Sequence, residues 1–110
     1  MTQDGSEVSK GVLRLDGQAA IVVGGGQTPG QTIGNGRATA ITYARAGARV
    51  LVADRDLDAA AATVAEITAE GGDAVPFRAD VTDEADIAAM VADAFDRWER
   101  LDILHNNVGI

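Results

Sequence analysis

The feature that most constrains the fold is a short apolar run, residues 19–23 (Ala-Ala-Ile-Val-Val), followed at once by a glycine-rich turn, Gly24 to Gly36, and then by a helical pattern over residues 37–46 that stops at Gly47. A continuous apolar run of that length suits a strand covered on both faces, as in a parallel sheet. A turn between such a strand and a helix leaves unpaired backbone N–H groups at the helix N-terminus, where the dipole favours an anion, typically a phosphate. Glycine suits the turn because a Cβ would hold a pyrophosphate away from the backbone. Flexible linkers are also glycine-rich, but they are not normally clamped between an apolar strand and a helix.

The same alternation repeats downstream. Residues 49–53 form a second apolar run ending at Asp54, and Asp56 is placed to cap a helix over 57–70. In that helix Leu57, Ala60, Ala61, Val64 and Ile67 recur at helical spacing, and Gly71-Gly72 ends it. Residues 74–79 predict a third strand, at whose edge or beginning Pro76 is tolerated. Thr82 is expected to cap a long helix with Asp83 and Glu84 in its first turn. Its apolar stripe is Ile87, Met90, Val91, Ala94, Phe95 and Trp98, while Asp93 with Arg97 and Asp96 with Arg100 make i,i+4 pairs on a solvated face. Residues 101–105 predict a fourth strand, running into Asn106-Asn107-Val108-Gly109.

The order βαβαβαβ implies an α/β fold with a parallel sheet and right-handed crossovers. The Rossmann-type, doubly wound arrangement places the strands in the order 3-2-1-4 and opens a crevice beyond the carboxyl ends of strands one and four. The glycine turn and the Asn-Asn segment both border that crevice. Residues 1–11 read as a flexible, unpatterned tail and residues 12–110 as one dinucleotide-binding domain.

Charge and composition narrow the partners. A net charge of −8, with Lys10 the only lysine, argues against nucleic acid and anionic membranes. The chain has no cysteine and a single histidine, His105, so neither a thiolate nor a histidine-based metal site is expected. His105 reads as a satisfied core residue of a central strand. No apolar stretch is long enough to span a membrane or to form the core of a signal peptide, and a cytoplasmic protein is expected.

Asp54 lies eighteen residues beyond Gly36, at the end of the second strand. A carboxylate there can accept hydrogen bonds from both ribose hydroxyls of an adenosine and would repel a 2′-phosphate, which favours NAD. Arg55 beside it keeps NADP open, because a guanidinium can accommodate that phosphate. A cap or loop carboxylate is the plain alternative for Asp54, and a turn or cap aspartate for Asp80.

With these residues in view, the chain resembles the N-terminal half of a short-chain dehydrogenase/reductase. The resemblance rests on Gly25…Gly34-Asn35-Gly36-Arg37-Ala38, on Asp54, on Asp80-Val81-Thr82-Asp83, and on Leu101 to Gly109. Val108 stands where the family's Asn-Asn-Ala-Gly motif has alanine. The resemblance implies that Gly25, Gly34 and Gly36 face the pyrophosphate, with Ile33 and Asn35 beside it. Asp54 and Arg55 would meet the adenosine ribose and Asp80 and Val81 the adenine, while Asn106, Asn107 and Gly109 brace the sheet and touch the cofactor. Eight residues separate Gly25 from Gly34 where the family usually has three, so the turn must bulge and the first motif glycine lies among Gly24, Gly25 and Gly26. The enlargement also brings Gln27, Thr28 and Thr32 into consideration as contacts.

The family's chemistry uses a serine, a tyrosine and a lysine four residues after that tyrosine, whose charge lowers the tyrosine pKa. Here the only tyrosine, Tyr43, sits in the first helix and position 47 is glycine. The expectation is therefore a fragment, truncated before the catalytic half, whose longer form transfers hydride between nicotinamide and an alcohol or ketone and can form a homo-oligomer. Without further sheet-extending units the fourth strand should present an unpaired edge. A non-catalytic dinucleotide-binding module is the alternative. A nucleoside triphosphatase is weaker still: residues 25–32 copy the spacing of a phosphate-binding loop, but Gln31 stands in place of its lysine.

Overall fold

The computed structural model describes residues 14–26 and 35–106. The predicted tail and the turn residues 27–34 lie outside them, as do Asn107 to Ile110. Strands β1 (Ala19–Val23), β2 (Arg49–Asp54), β3 (Asp73–Arg78) and β4 (Ile103–Asn106) alternate with helices α1 (Asn35–Arg45), α2 (Leu57–Ala69) and α3 (Glu84–Trp98). They form one parallel sheet in the order β3-β2-β1-β4, the doubly wound arrangement expected.

Period-2 alternation divides the sheet into two buried faces. Val22, Val50, Val52 and Ala74 pack with Ala40 and Ile41 of α1 and Ala60 and Ile67 of α2. On the other face Ile21, Val23, Leu51 and Ala53 meet Met90 and Ala94 of α3. Coverage on both sides explains why β1 and β2 read as unbroken apolar runs. β3 is an edge strand, so Pro76, opposite Val52, removes no interior ladder bond. β4 pairs with β1 alone among the described strands, and Leu104 on it is 55% exposed.

The sequence reading needs correction at several helix positions. The third helix is capped by Asp83, whose side chain accepts from the Ala85 N–H at 2.9 Å, rather than by Thr82. Thr82 is committed elsewhere, to the Asp80 carboxylate. Asp56 does cap α2, accepting from the N–H groups of Asp58 and Ala59. The buried face of α2 is, however, Ala59, Ala60, Thr63 and Ile67, with Leu57 47% exposed and Ala61 exposed. Small residues let the start of α2 approach Gly25 and Gly26 closely, with Ala59 and Thr63 turned inward and Leu57 outward. On α3, Phe95 is 47% exposed whereas Met90 and Ala94 are buried.

Asp93 and Arg97 pair as expected, at 2.7 Å. Asp96 and Arg100 do not, because α3 ends at Trp98 and Glu99 turns into the left-handed region (φ 59°). Arg100 instead forks onto Asp102, Nε to Oδ2 at 2.7 Å and Nη2 to Oδ1 at 2.9 Å. Asp102 Oδ2 also accepts from the Ala19 N–H, and the Asp102 N–H donates to the Ala19 carbonyl, each at 2.9 Å. This reciprocal pair pins the approach to β4 against the start of β1. The fourth strand accordingly begins at Ile103 and runs to Asn106, two residues later than expected at its start.

Two outcomes follow for stability. Ile67→Ala should cost about 2–5 kcal/mol, as a buried aliphatic truncation does, whereas Leu57→Ala should stay within about 0.5 kcal/mol; urea unfolding of the two variants checks the corrected face of α2. The Arg100 fork, with the Ala19 N–H, holds the Asp102 carboxyl below the usual carboxylate range. A depressed folded value stabilises above the unfolded value of about 3.9, and that contribution is lost as pH falls through the folded one. Wild type should therefore lose stability more steeply than Asp102→Asn on acidification below about pH 4, and the two should converge, as read from urea midpoints across that range.

Candidate functional site

The register of the sheet gathers the expected site residues at the carboxyl ends of the strands. Val23 lies opposite Ala53 on one side and Asn106 on the other, and Asp54 opposite Arg78. The crossover order changes between β1 and β4, which is where a doubly wound sheet opens its crevice.

The three glycines after β1 meet different demands. Gly24 turns the chain at φ +79°, and its N–H donates to the Ala53 carbonyl at 2.8 Å. A Cβ on Gly25 would lie 2.9 Å from Val52 Cγ1. At Gly26 a Cβ would come within 2.6 Å of the Ala59 Cβ and 2.7 Å of Asp54 Oδ2. The backbone thus runs where side chains cannot. Gly36 is buried in the first turn of α1, which begins at Asn35, two residues earlier than the sequence pattern suggests. Ile33, Gly34, Asn107 and Gly109 lie outside the described residues, as do Gln27, Thr28, Thr32 and the side chain of Asn35.

Asp54 closes β2 with both carboxylate oxygens engaged on the backbone. Oδ2 accepts from the Gly26 N–H at 3.0 Å and Oδ1 from the Asp56 N–H at 2.9 Å. The loop-capping role weighed for this residue is therefore real. It also fixes the carboxylate at the mouth of a cavity of about 250 Å³ lined by Val23, Gly24, Asp54, Arg55, Ala79, Asp80, Val81 and Thr82. The residues expected to meet adenosine share this one hollow.

Asp80 also combines two roles. Its Oδ1 accepts from the Thr82 hydroxyl at 2.6 Å and the Thr82 N–H at 2.9 Å, the turn alternative considered for it. Those bonds hold its carboxyl below the ordinary range, and the charges of Arg55 and Arg78 add to the effect. Its own N–H donates to Asp86 Oδ2 at 2.9 Å, so α3 helps to set the cavity wall.

A second hollow of about 260 Å³ continues across β1, lined by Val23, Val81, Ile87, Met90, Leu104 and Asn106. Val23 and Val81 border both, so the two make one cleft running from the β2–β3 side to the β4 side. A cleft of similar size, about 280 Å³, lies between α1 and α2 at the opposite end of the sheet. Its charged groups are already spent on each other, Arg45 forking onto Glu70 with both contacts at 2.8 Å.

Tyr43 is the packed helix residue expected. Its ring meets His105 edge-on, with centroids 6.3 Å apart and planes at 89°. His105 is half-buried on β4, an edge strand rather than a central one. Among the described residues no group of three or more His, Cys, Asp or Glu is placed to hold a metal ion. No described helix is long and apolar enough to cross a membrane.

Thr63 is the residue that sequence reasoning missed. It is completely buried on α2, and its hydroxyl donates to the Gly25 carbonyl at 2.7 Å. A usable signal was present: a hydroxyl four residues from Ala59 and from Ile67, on the buried stripe of an alanine-rich helix, requires a partner. Arg37, near the start of α1, reaches across to Glu66 of α2 and ties the two helices that flank the turn.

Comparison with known proteins agrees with this geometry. A family model described as short chain dehydrogenase matches residues 18–110. Sorbitol dehydrogenase of Cereibacter sphaeroides is 46% identical over 98 residues, covering 89% of this chain and 35% of that protein. The 7alpha-hydroxysteroid dehydrogenase of Escherichia coli K12 is 43% identical over 97 residues, covering 88% and 36%. A crystal structure from Burkholderia xenovorans, described as a short-chain dehydrogenase/reductase, superposes with a TM-score of 0.82 at 46% identity, over 88% of this chain and 38% of that one. A hydroxysteroid dehydrogenase structure from Escherichia coli gives 0.76 at 41% identity, over 84% and 37%. The chain spans little more than a third of the length of these relatives. With the sheet order, the glycine turn and the matched region all in accord, the chain belongs to the short-chain dehydrogenase family.

Proposed function

We propose that this chain is the cofactor-binding half of an NAD-dependent oxidoreductase whose longer form interconverts an alcohol and a ketone or aldehyde. The observation that carries the reading is the Asp54 carboxylate, held by the Gly26 and Asp56 N–H groups at the mouth of the cleft beside the glycine turn. An acceptor so placed suits the two hydroxyls of an adenosine ribose and opposes a 2′-phosphate. Arg55, exposed next to it, leaves NADP a weaker second choice. Gly25, Gly34 and Gly36, with Ile33 and Asn35, would cradle the pyrophosphate. Asp80 and Val81 would flank the adenine, and Asn106, Asn107 and Gly109 the nicotinamide side.

Gly25 and Gly26 lack side chains because a Cβ at either place would clash with the neighbouring strand or helix, and their backbone therefore lies close over the end of the sheet, where a diphosphate would sit. Bound nicotinamide supplies the hydride acceptor or donor. The chain's own residues orient the cofactor and shield it: Val23 and Val81 line the middle of the cleft, and Met90 and Leu104 its far part. Proton transfer to and from the substrate needs groups that this sequence does not contain, Tyr43 being packed against His105 in the sheet's flank. The 110 residues are therefore inactive alone, and the remainder of a longer protein would supply the proton-transfer groups, the substrate pocket and the surfaces for a homo-oligomer. A cytoplasmic location belongs to the same proposal.

Titration with NADH and NADPH is the direct test. Wild type should bind NADH more tightly, and Asp54→Ala should weaken NADH by about tenfold or more, the loss of hydrogen bonds to a charged group, while narrowing the gap to NADPH. Absence of binding to either cofactor at millimolar concentration overturns the reading. In a coupled assay the same 110 residues should give no NAD reduction with secondary alcohols, and measurable turnover would refute the division of labour.

A further inference from the structure

Thr63 stands out because it is the fully buried polar side chain among the described residues, and its bond leaves its own helix. A helical threonine commonly satisfies its hydroxyl on a carbonyl one turn back, as Thr68 does on Ala65 at 3.2 Å. Thr63 instead reaches the Gly25 carbonyl at 2.7 Å.

That carbonyl belongs to the peptide unit joining Gly25 to Gly26. The N–H at the other end of the same unit donates to Asp54 Oδ2 at 3.0 Å. A trans peptide is planar, with its C=O and N–H pointing in opposite directions, so fixing one end fixes the other. Glycine on both sides makes rotation of this unit cheap unless something holds it. Thr63 holds the carbonyl end toward α2, and the N–H end is thereby presented to Asp54.

From this linkage we infer that Thr63 is a positioning residue for cofactor selection: through the Gly25–Gly26 peptide it sets the orientation of the Asp54 carboxylate. The inference rests on the proposed role of Asp54 in gripping the ribose. Without the hydroxyl, the buried Gly25 carbonyl loses its partner, and the peptide is free to rock until that carbonyl reaches water at the cleft. Rocking draws the Gly26 N–H off Asp54 Oδ2, and the carboxylate, left with the Asp56 N–H on Oδ1 alone, pivots away from the ribose position. NADH then loses affinity, whereas NADPH, which the carboxylate opposes, does not lose in parallel.

The experiment compares wild type, Thr63→Val, Thr63→Ala, Thr63→Ser, Asp54→Asn and the Thr63→Val/Asp54→Asn double variant. Fluorescence titration gives the Kd for NADH and NADPH, and native-state hydrogen exchange follows the Gly26 amide. Thr63→Val should weaken NADH by about tenfold, leave NADPH within about twofold and expose the Gly26 amide to exchange. Thr63→Ser should keep the wild-type preference. On the Asp54→Asn background, Thr63→Val should change NADH affinity by less than about twofold. Should the valine variant fail to fold, alanine, the better helix former, must give the same pattern.

Equal loss of NADH and NADPH affinity, or an unaltered preference, overturns the inference. So does Gly26 protection that survives loss of the hydroxyl. If wild type binds neither cofactor, the proposed function fails, yet Gly26 exchange still decides whether Thr63 controls the contact with Asp54.

Discussion

Pairing of β1 with β2 is the constraint on which the remaining architecture depends. All five residues of β1 are buried, and its register opposite β2 runs from Ala19–Arg49 to Val23–Ala53. Because both faces of this pair are covered, neither strand can slip by one residue without exchanging its two apolar faces. That fixed register sets Gly24 against the Ala53 carbonyl and brings Gly26 within reach of Asp54. Gly24 to Gly26 are thus held by the strand pair beneath them and by α2 beside them.

The small size of the residues around that turn has the same origin. Gly25 sits over Val52 and Gly26 against Ala59, so the turn and the start of α2 approach each other at backbone distance. Ala59 and Ala60 are buried where a larger residue would push α2 away from the sheet. Close approach creates a buried carbonyl at Gly25, and an apolar residue at position 63 would leave it unsatisfied. Thr63 settles that demand with a hydroxyl whose reach suits the gap.

Much of this fold is legible in the sequence because its signals are local. The apolar runs of β1 and β2, the helix stops at Gly47 and Gly71, and the Asp56 cap each depend on a few adjacent residues. Asp54 is legible as well, since its place follows from the end of an apolar run. The misreadings concern interactions between distant segments. Thr82 and Asp83 are equally good caps by residue type, and only the turn that occupies Thr82 with Asp80 decides between them. The rotation of α2 follows from packing against the glycine turn, which periodicity alone cannot register. Arg100 pairs with Asp102 because the helix ends before the expected i,i+4 partner comes into line.

The proposed division between cofactor-binding and catalytic groups has a physical basis in this topology. The carboxyl ends of β1, β2 and β3 border one half of the cleft, where the polar groups on hand include backbone donors and carboxylates fixed by hydrogen bonds. Asp54, Asp80 and Gly26 are all held by hydrogen bonds within this region or to α3. The β4 side differs: Leu104 is 55% exposed and Asn106 ends a strand that is at the edge among the described strands, so apolar groups of β1, α3 and β4 dominate that part of the cleft. On the proposed function, a substrate beside the exposed Leu104 would need shielding from water, because a general acid works against solvent competition. The proposed cofactor grip and the proposed proton transfer thus make separate demands on the fold, and the groups proposed for the first are held by β1, β2, β3 and α3.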